Sequence, residues 1–329
     1  MTTTKRVLVL GWYDQSNLGD ESFKRSFRLL WPKLDFTFSN FVPSDQSAFS
    51  GCFIGGGNFL DGNFPGLGLL RLPTAFVGIG VGGVVSPQFA DVLVRAKAIV
   101  VRDHTSVRNL PSGIDPASVV AASDLFFARP ASSVPTWCGP MSNKVSVLLS
   151  AHFMARAGAP DWFSRGWTNF SKNLATVLDI LVERGANVSF LPMSVNRAHS
   201  DVCAADEVVG QMLHGQKVCS VDSSLTEQEV LQEISESSLT LSLRLHGMIF
   251  AASTGCPFVA FCGHDKSHYM ARSMRWQNSL DIYTASWQEM LRMVDSAIQG
   301  KSVESGRAIE EARKQWLAVS DFVITRLWP

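Results

Sequence analysis

Ser238-Leu239-Thr240-Leu241-Ser242-Leu243-Arg244-Leu245-His246-Gly247 passes from strand to helix within ten residues. The run 238–243 is apolar and short, as a buried strand is, and residues 247–253 read as a helix. Open α/β sheets bind their ligands just beyond the carboxyl ends of the strands. A guanidinium and an imidazole two residues apart at such an end are well placed to hold an anion. The plain structural alternative is a local ion pair for Arg244 and a helix cap for His246.

The same alternation of short apolar runs and helical periodicity extends along the whole chain. Strands are expected at 6–10, 51–54, 74–78 and 98–101, and then at 145–149, 188–191, 218–221, 238–243 and 258–261. This pattern predicts an α/β protein with two Rossmann-like domains, each built on a parallel sheet. Prolines 130, 135 and 140 with several serines break the regularity over 129–143, which places a linker there. The expected organisation is an N-terminal domain over 1–135, a C-terminal domain over 144–300 and a C-terminal helix over 301–329. That helix carries the stripe Ile309, Ala312, Trp316, Val319, Phe322 and Val323, and the N-terminal domain is its expected docking face. A second helix is predicted from Phe170, Leu174, Val177, Leu178 and Leu181, with Gly185 at its carboxyl cap.

Composition narrows the function classes. Of 329 residues 46% are hydrophobic and 18% charged, which suits a large buried core. Lys plus Arg equals Asp plus Glu at 29 each, so no global field draws the chain to nucleic acid or anionic lipid, and any anion site must be local. The apolar run 7–10 is too short for a signal-peptide core, and no stretch approaches the length of a membrane span. The six cysteines are scattered and contain no C-x-x-C, as expected of reduced thiols in a cytoplasmic protein.

Three turns follow the early strands. After the first, Asn17-Leu18-Gly19-Asp20-Glu21 opens a helix, with Asp20 the expected N-cap and Glu21 in the first turn. These carboxylates already compensate the positive helix end, so the turn suits hydroxyls or a general base better than a phosphate. After the second comes Gly55-Gly56-Gly57-Asn58, where glycines allow backbone to approach a ligand closely. Asn17, Gly19, Glu21, Gly56, Gly57 and Asn58 are therefore expected on the acceptor side of a site. After the third, Gly78-Ile79-Gly80-Val81-Gly82-Gly83 fits G-x-G-x-x-G, with Asp103 twenty residues on. A dinucleotide site is disfavoured, because this turn does not follow the first strand and Val84-Val85-Ser86-Pro87 delays the helix. Arg102-Asp103 ends the fourth strand and offers a further cation at a carboxyl edge.

Several stretches, in order, carry a resemblance to the polysaccharide pyruvyl transferase family. They are G-W-Y-D-Q-S-N-L-G-D-E at 11–21, I-G-G-G-N at 54–58, V-R-D-H-T-S at 101–106, A-S-D-L-F-F at 122–127, R-L-H-G at 244–247 and G-C-P-F-V-A-F at 255–261 with D-K at 265–266. The likeness spans about 6–270. It implies a GT-B-like fold with the active site in an interdomain cleft, and transfer of pyruvate from phosphoenolpyruvate to two sugar hydroxyls as a ketal. Phosphoenolpyruvate is then a co-substrate, no cofactor or metal is expected, and the acceptor is a sugar or a lipid-linked glycan. Arg102, Arg244, His246 and Lys266 match family positions associated with phosphoenolpyruvate. The family's Tyr-Asp-Pro-Lys-like stretch reads Cys262-Gly263-His264-Asp265-Lys266 here, and 150–167 matches no family pattern.

Such a donor carries a carboxylate and a phosphate, and convergent Arg and Lys side chains suit it. The reaction protonates a methylene carbon, a role that fits His246 as general acid. Asp20, then Glu21 and Asp103, are candidate bases, with His152 and His264 behind them. Cys262, His264 and His268 have a spacing that could bind metal but form no closed ligand set. The competing readings are a nucleotide-sugar glycosyltransferase, with Glu227 or Glu229 on a ribose, and a non-catalytic carbohydrate- or anion-binding relative. A dinucleotide-dependent dehydrogenase is the third.

Overall fold

The structure is a computed structural model that describes residues 4–57, 59–139, 143–154, 160–196, 200–218, 223–300 and 303–329. The chain divides into two compact units. Unit 1 comprises Met1–Gln15, Asp20–Ala131 and Glu310–Pro329, and unit 2 comprises Ser16–Gly19 and Ser132–Ile309.

Unit 1 is built on β1 (Arg6–Leu10), β2 (Asp35–Ser39), β3 (Gly51–Gly57), β4 (Thr74–Ile79), β5 (Ala98–Val101) and β6 (Val119–Ala121). They form one parallel sheet in the order β2-β1-β3-β4-β5-β6. The helices are α1 (Leu18–Leu30), which begins in unit 2, α2 (Pro87–Val94) and α3 (His104–Arg108). Consecutive strand residues point to opposite faces, so both faces need an apolar cover. Val7, Val9, Phe53 and Val77 pack with Phe23, Phe27 and Trp31 on one side. Leu8, Leu10, Ile54 and Phe76 pack with Phe89 and Leu93 on the other.

Unit 2 carries β7 (Lys144–Leu148), β8 (Asn187–Phe190), β9 (Leu239–Ser242), β10 (Phe258–Cys262) and β11 (Ser279–Asp281), parallel in the order β11-β10-β9-β7-β8. Around it lie α4 (Asp161–Glu183), α5 (Asp201–Val209), α6 (Glu227–Ser235), α7 (Leu245–Thr254), α8 (Asp265–Ser273) and α9 (Trp287–Ile298). Phe170, Leu174, Val177, Leu178 and Leu181 of α4 enter the core against Val145, Val147, Val188 and Leu241. The helix ends in a Schellman motif: Gly185 (φ 89°) donates to the Val182 carbonyl and Ala186 to that of Leu181. Gly185→Ala should therefore cost about 1 kcal/mol, because a Cβ disfavours the left-handed backbone. An unchanged urea midpoint would show that the cap adds nothing.

The last helix, α10 (Val303–Leu327), returns to unit 1 from Glu310 onward. There Trp316, Val319 and Val323 join the core beside Phe53, and the Trp316 indole donates to the Asp124 carbonyl at 3.1 Å. Arg129, at the head of the proline-rich stretch, is wholly buried in unit 1. It donates to Ser26 Oγ at 2.8 Å and to the Ser22 carbonyl of α1, with its guanidinium 4.0 Å from the Phe126 ring.

Three strands absent from the sequence expectation, β2, β6 and β11, are all sheet edges, and β6 and β11 are three residues long. An edge strand needs less apolar surface than a central one, so its hydrophobic signal is faint. The strand expected at 218–221 lies, beyond Val218, outside the described residues.

Candidate active site

In unit 2, β7 connects outward to β8 while β9 starts the run in the opposite direction, so the topological switch point falls between β7 and β9. That is where an open α/β sheet binds its ligand. Arg244 stands there as the N-cap residue of α7. The backbone fixes it: Leu243 donates to the Leu148 carbonyl at 2.8 Å, and Ser242 Oγ donates to the Arg244 carbonyl at 2.8 Å. A Cβ on Gly247 would meet Ser242 Oγ and Leu148, so only a glycine lets the first turn of α7 lie this close to the sheet. Leu245 is buried, while Arg244 and His246 are partly exposed on the edge.

The Arg244 guanidinium is held by Asp201 in the first turn of α5. Nε lies 2.9 Å from Oδ2 and Nη2 2.5 Å from Oδ1. The same carboxylate, 1% exposed, accepts from the amides of Ala151, Met193 and Ser194 at 3.1, 3.1 and 2.9 Å. One buried anion thus ties together the ends of β7, β8 and β9. Its two bonds to Arg244 form a planar fork that orients the guanidinium and leaves Nη1 outside the pairing. No sequence pattern singled out Asp201. An acid in the first turn of a helix reads as dipole compensation, and its partner lies 43 positions away.

Residues 16–19 complete this edge. Asn17 bridges Ser194 in antiparallel fashion, Leu18 donates to the Met193 carbonyl at 2.8 Å, and Val195 donates to that of Ser16 at 3.1 Å. Ser16 and the nearby Asp14 have φ of 53° and 59°, a left-handed backbone that costs about 1–3 kcal/mol at such residues and concentrates at functional sites. Gly19 then packs directly on His246, for a Cβ there would overlap Nδ1 and Cγ of the ring. Gly19→Ala should lower turnover about tenfold by displacing the imidazole, while the helix itself favours alanine. Wild-type kinetics in that variant would show that the ring position is immaterial.

The helix-opening cap differs from expectation. α1 begins at Leu18, and Asn17 Oδ1 accepts the Gly19 amide at 3.1 Å, so Asn17 is the cap and Asp20 sits in the first turn. Asp20 is buried, and its Oδ1 lies 3.0 Å from where a Gly57 Cβ would be. Gly56 and Gly57 both have positive φ, and the space beside Gly56 is filled by the Phe23 ring. Asn58 lies outside the described residues. Glu21 accepts the Asp14 amide at 2.6 Å and pairs with Lys24 at 2.7 Å, which ties it to loop structure. Burial opposes the Lys24 charge, but the hydrogen bonds it donates to Asp14 and Glu21 raise its pKa above the usual lysine range. Tyr13, buried against these acids, donates to the Gly55 carbonyl at 2.9 Å. Burial, then the charges of Asp20 and Glu21, push its pKa well above the ordinary tyrosine value.

Arg102 follows β5 and is buried, its guanidinium lying on the backbone of Gly80, 2.5 Å from a Cβ position there. Asp103 caps α3 through Ser106 N at 2.6 Å and stands 3.8 Å from Arg102 Nε. In unit 2, Lys266 is exposed at the second position of α8, one strand along from Arg244. His264 caps the same helix, with Ser267 Oγ donating to its carbonyl at 2.7 Å. His268 pairs with Asp281 at 3.2 Å. Among the described residues no group of three His, Cys, Asp or Glu side chains could hold a metal ion, and no helix is long and apolar enough to cross a membrane. The described cysteines 52, 138, 203, 256 and 262 are free thiols.

A family model, polysaccharide pyruvyl transferase, matches residues 6–265, a span that contains Gly19, Asp201, Arg244 and His246. The chain belongs to the polysaccharide pyruvyl transferase family. It is accordingly a transferase. No curated protein sequence matches it. Among solved structures, UDP-GlcNAc 2-epimerase from Neisseria meningitidis, bound to UDP-GlcNAc, aligns with TM-score 0.58 at 10% identity, covering 98% of this chain and 99% of that one. A putative UDP-N-acetylglucosamine 2-epimerase from Listeria monocytogenes gives 0.57 at 10% identity, with 93% and 94% covered. The Methanocaldococcus jannaschii UDP-GlcNAc 2-epimerase gives 0.55 at 10%, with 94% and 99%. At these identities the likeness is one of fold, a GT-B type with two Rossmann-like α/β units.

Proposed function

We propose that this family member transfers the pyruvate group of phosphoenolpyruvate to two hydroxyls of a sugar in a glycan or glycan precursor, forming a ketal and releasing phosphate. The observation that carries the reading is the Asp201–Arg244 fork at the switch point of unit 2, with His246 two residues on. Arg244 offers Nη1, outside the Asp201 fork, to an oxygen of the donor, and Lys266 adds a positive charge on the next strand's edge. Arg102 is a further donor ligand by its family position.

The chemistry follows from the donor. A proton from His246 adds to the methylene carbon, which becomes the methyl group, and a sugar hydroxyl attacks the central carbon. The C–O bond to phosphate breaks, and the second hydroxyl closes the ketal. Two hydroxyl protons are released; one replaces the proton given to carbon and the other leaves on phosphate. Asp20 is the proposed acceptor of a hydroxyl proton, as a buried carboxylate in the first turn of α1, one residue after the Gly19 that packs on His246. The glycosyltransferase reading loses support from Glu229, whose carboxylate closes a capping box with Thr226 at 2.7 Å. Phosphoenolpyruvate is a co-substrate here, and the proposal includes no metal, no nucleic acid and a cytoplasmic site of action.

The test is thermal denaturation with phosphoenolpyruvate, UDP-GlcNAc or NAD added separately, followed by phosphate release with sugar acceptors. Phosphoenolpyruvate at a hundred times its Kd should stabilise the fold by about 2.7 kcal/mol. Stabilisation by UDP-GlcNAc or NAD alone would sink the proposal.

A further inference from the structure

We infer that the aromatic shelf beside the Arg244 edge is a stacking subsite for pyranose rings of a glycan acceptor. The shelf is made by Trp162 and Phe163 of α4, Tyr283 after β11, and His152 and His264 after β7 and β10, packed on the buried ring of Phe153. Ring centroids lie 5.5 Å apart for Trp162 and Tyr283, 6.4 Å for Phe163 and Tyr283, 4.3 Å for Phe153 and His264, and 5.0 Å for His152 and His264. Trp162 is 61% exposed, which is unusual for the largest apolar side chain.

Two glycines form this surface. A Cβ on Gly166, inside α4, would strike the Tyr283 ring, and one on Gly263 would strike Phe153 and Ile282. A glycine inside a helix is unfavourable, and here it lets an edge of the tyrosine ring approach the helix backbone. Asp281 rims the shelf, accepting the Tyr283 amide at 2.7 Å and pairing with His268. Aromatic faces with a few convergent polar groups are what a pyranose needs, with C–H groups against the rings and hydroxyls toward the rim.

The shelf is continuous with the proposed donor site. Asp201 binds Arg244 through both carboxylate oxygens and accepts the amide of Ala151 at Oδ1, and the next residue is His152, which faces His264. A glycan lying on the rings therefore has an end at the Arg244 edge. The inference rests on the pyruvyl transfer reading, and a polymer-modifying enzyme gains from binding rings that do not react.

The experiment uses the full chain with cellotetraose, laminaritetraose and maltotetraose, in saturation-transfer NMR and calorimetric titration. Wild type and Trp287→Ala, a loss of another partly exposed tryptophan, should bind at least one tetrasaccharide equally. Trp162→Ala should bind it about tenfold more weakly, with its stabilisation by phosphoenolpyruvate unchanged. Equal binding by Trp162→Ala, or no binding of any tetrasaccharide by wild type, overturns the inference. A selective loss of UDP binding in Trp162→Ala overturns it too, by assigning the rings to a base. Failure of phosphoenolpyruvate to stabilise any variant, with tetrasaccharide binding intact, would count against the donor reading and leave the shelf standing.

Discussion

Asp201→Asn is expected to lower stability by about 3 kcal/mol and turnover by about a hundredfold, although the side chain keeps its shape. Each carboxylate oxygen already accepts from two or three donors: Ala151 N and Arg244 Nη2 at Oδ1, and Met193 N, Ser194 N and Arg244 Nε at Oδ2. An asparagine must turn its amide toward one of these sets, so donors face donors in a buried site whichever way it flips. The Arg244 charge also loses its counter-ion. Because the guanidinium is oriented by the pair, the Michaelis constant for phosphoenolpyruvate should rise with the loss of stability. Urea unfolding and phosphate-release kinetics read the two effects. A variant with both values near wild type would mean that the fork contributes neither stability nor orientation.

His246→Gln should reduce kcat by about 10²–10⁴, the range attributed to general acid catalysis, with little change in urea stability because the ring is partly exposed. The split between kcat and the Michaelis constant separates acid from ligand. If His246 delivers the proton, the loss falls on kcat and the Michaelis constants hold. Should glutamine keep kcat and raise only the Michaelis constant, the ring is a binding group and the proton has another source.

The legible part of the molecule was what apolar periodicity encodes. Central strands such as Arg6–Leu10 and Ala98–Val101 are covered on both faces and show as continuous apolar runs, and the parallel pattern announced an α/β fold. Arg244-Leu245-His246 was visible because its residue types contrast with the strand before it. Asp201 and the Gly19 contact were not, because both depend on partners far along the chain: 43 positions from Asp201 to Arg244, and 227 (246 − 19) from Gly19 to His246. The misplaced cap at Asp20 has a cause of the same kind. Asn17 and Asp20 are both good cap residues, and the bridge of Asn17 with Ser194 decides between them.

Helix α10 gives the order of events during synthesis a twist. Domains made on the ribosome usually fold from the N-terminus onward. Here Trp316, Val319 and Val323 belong to the core of the N-terminal sheet, so that core has a vacancy until residues 310–329 emerge. Unit 2, almost all of it contiguous over 132–309, has its own core complete before then. The first sheet to be synthesised is therefore the last to close, and nascent chains halted near residue 310 would expose the Phe53 face of unit 1 to chaperones.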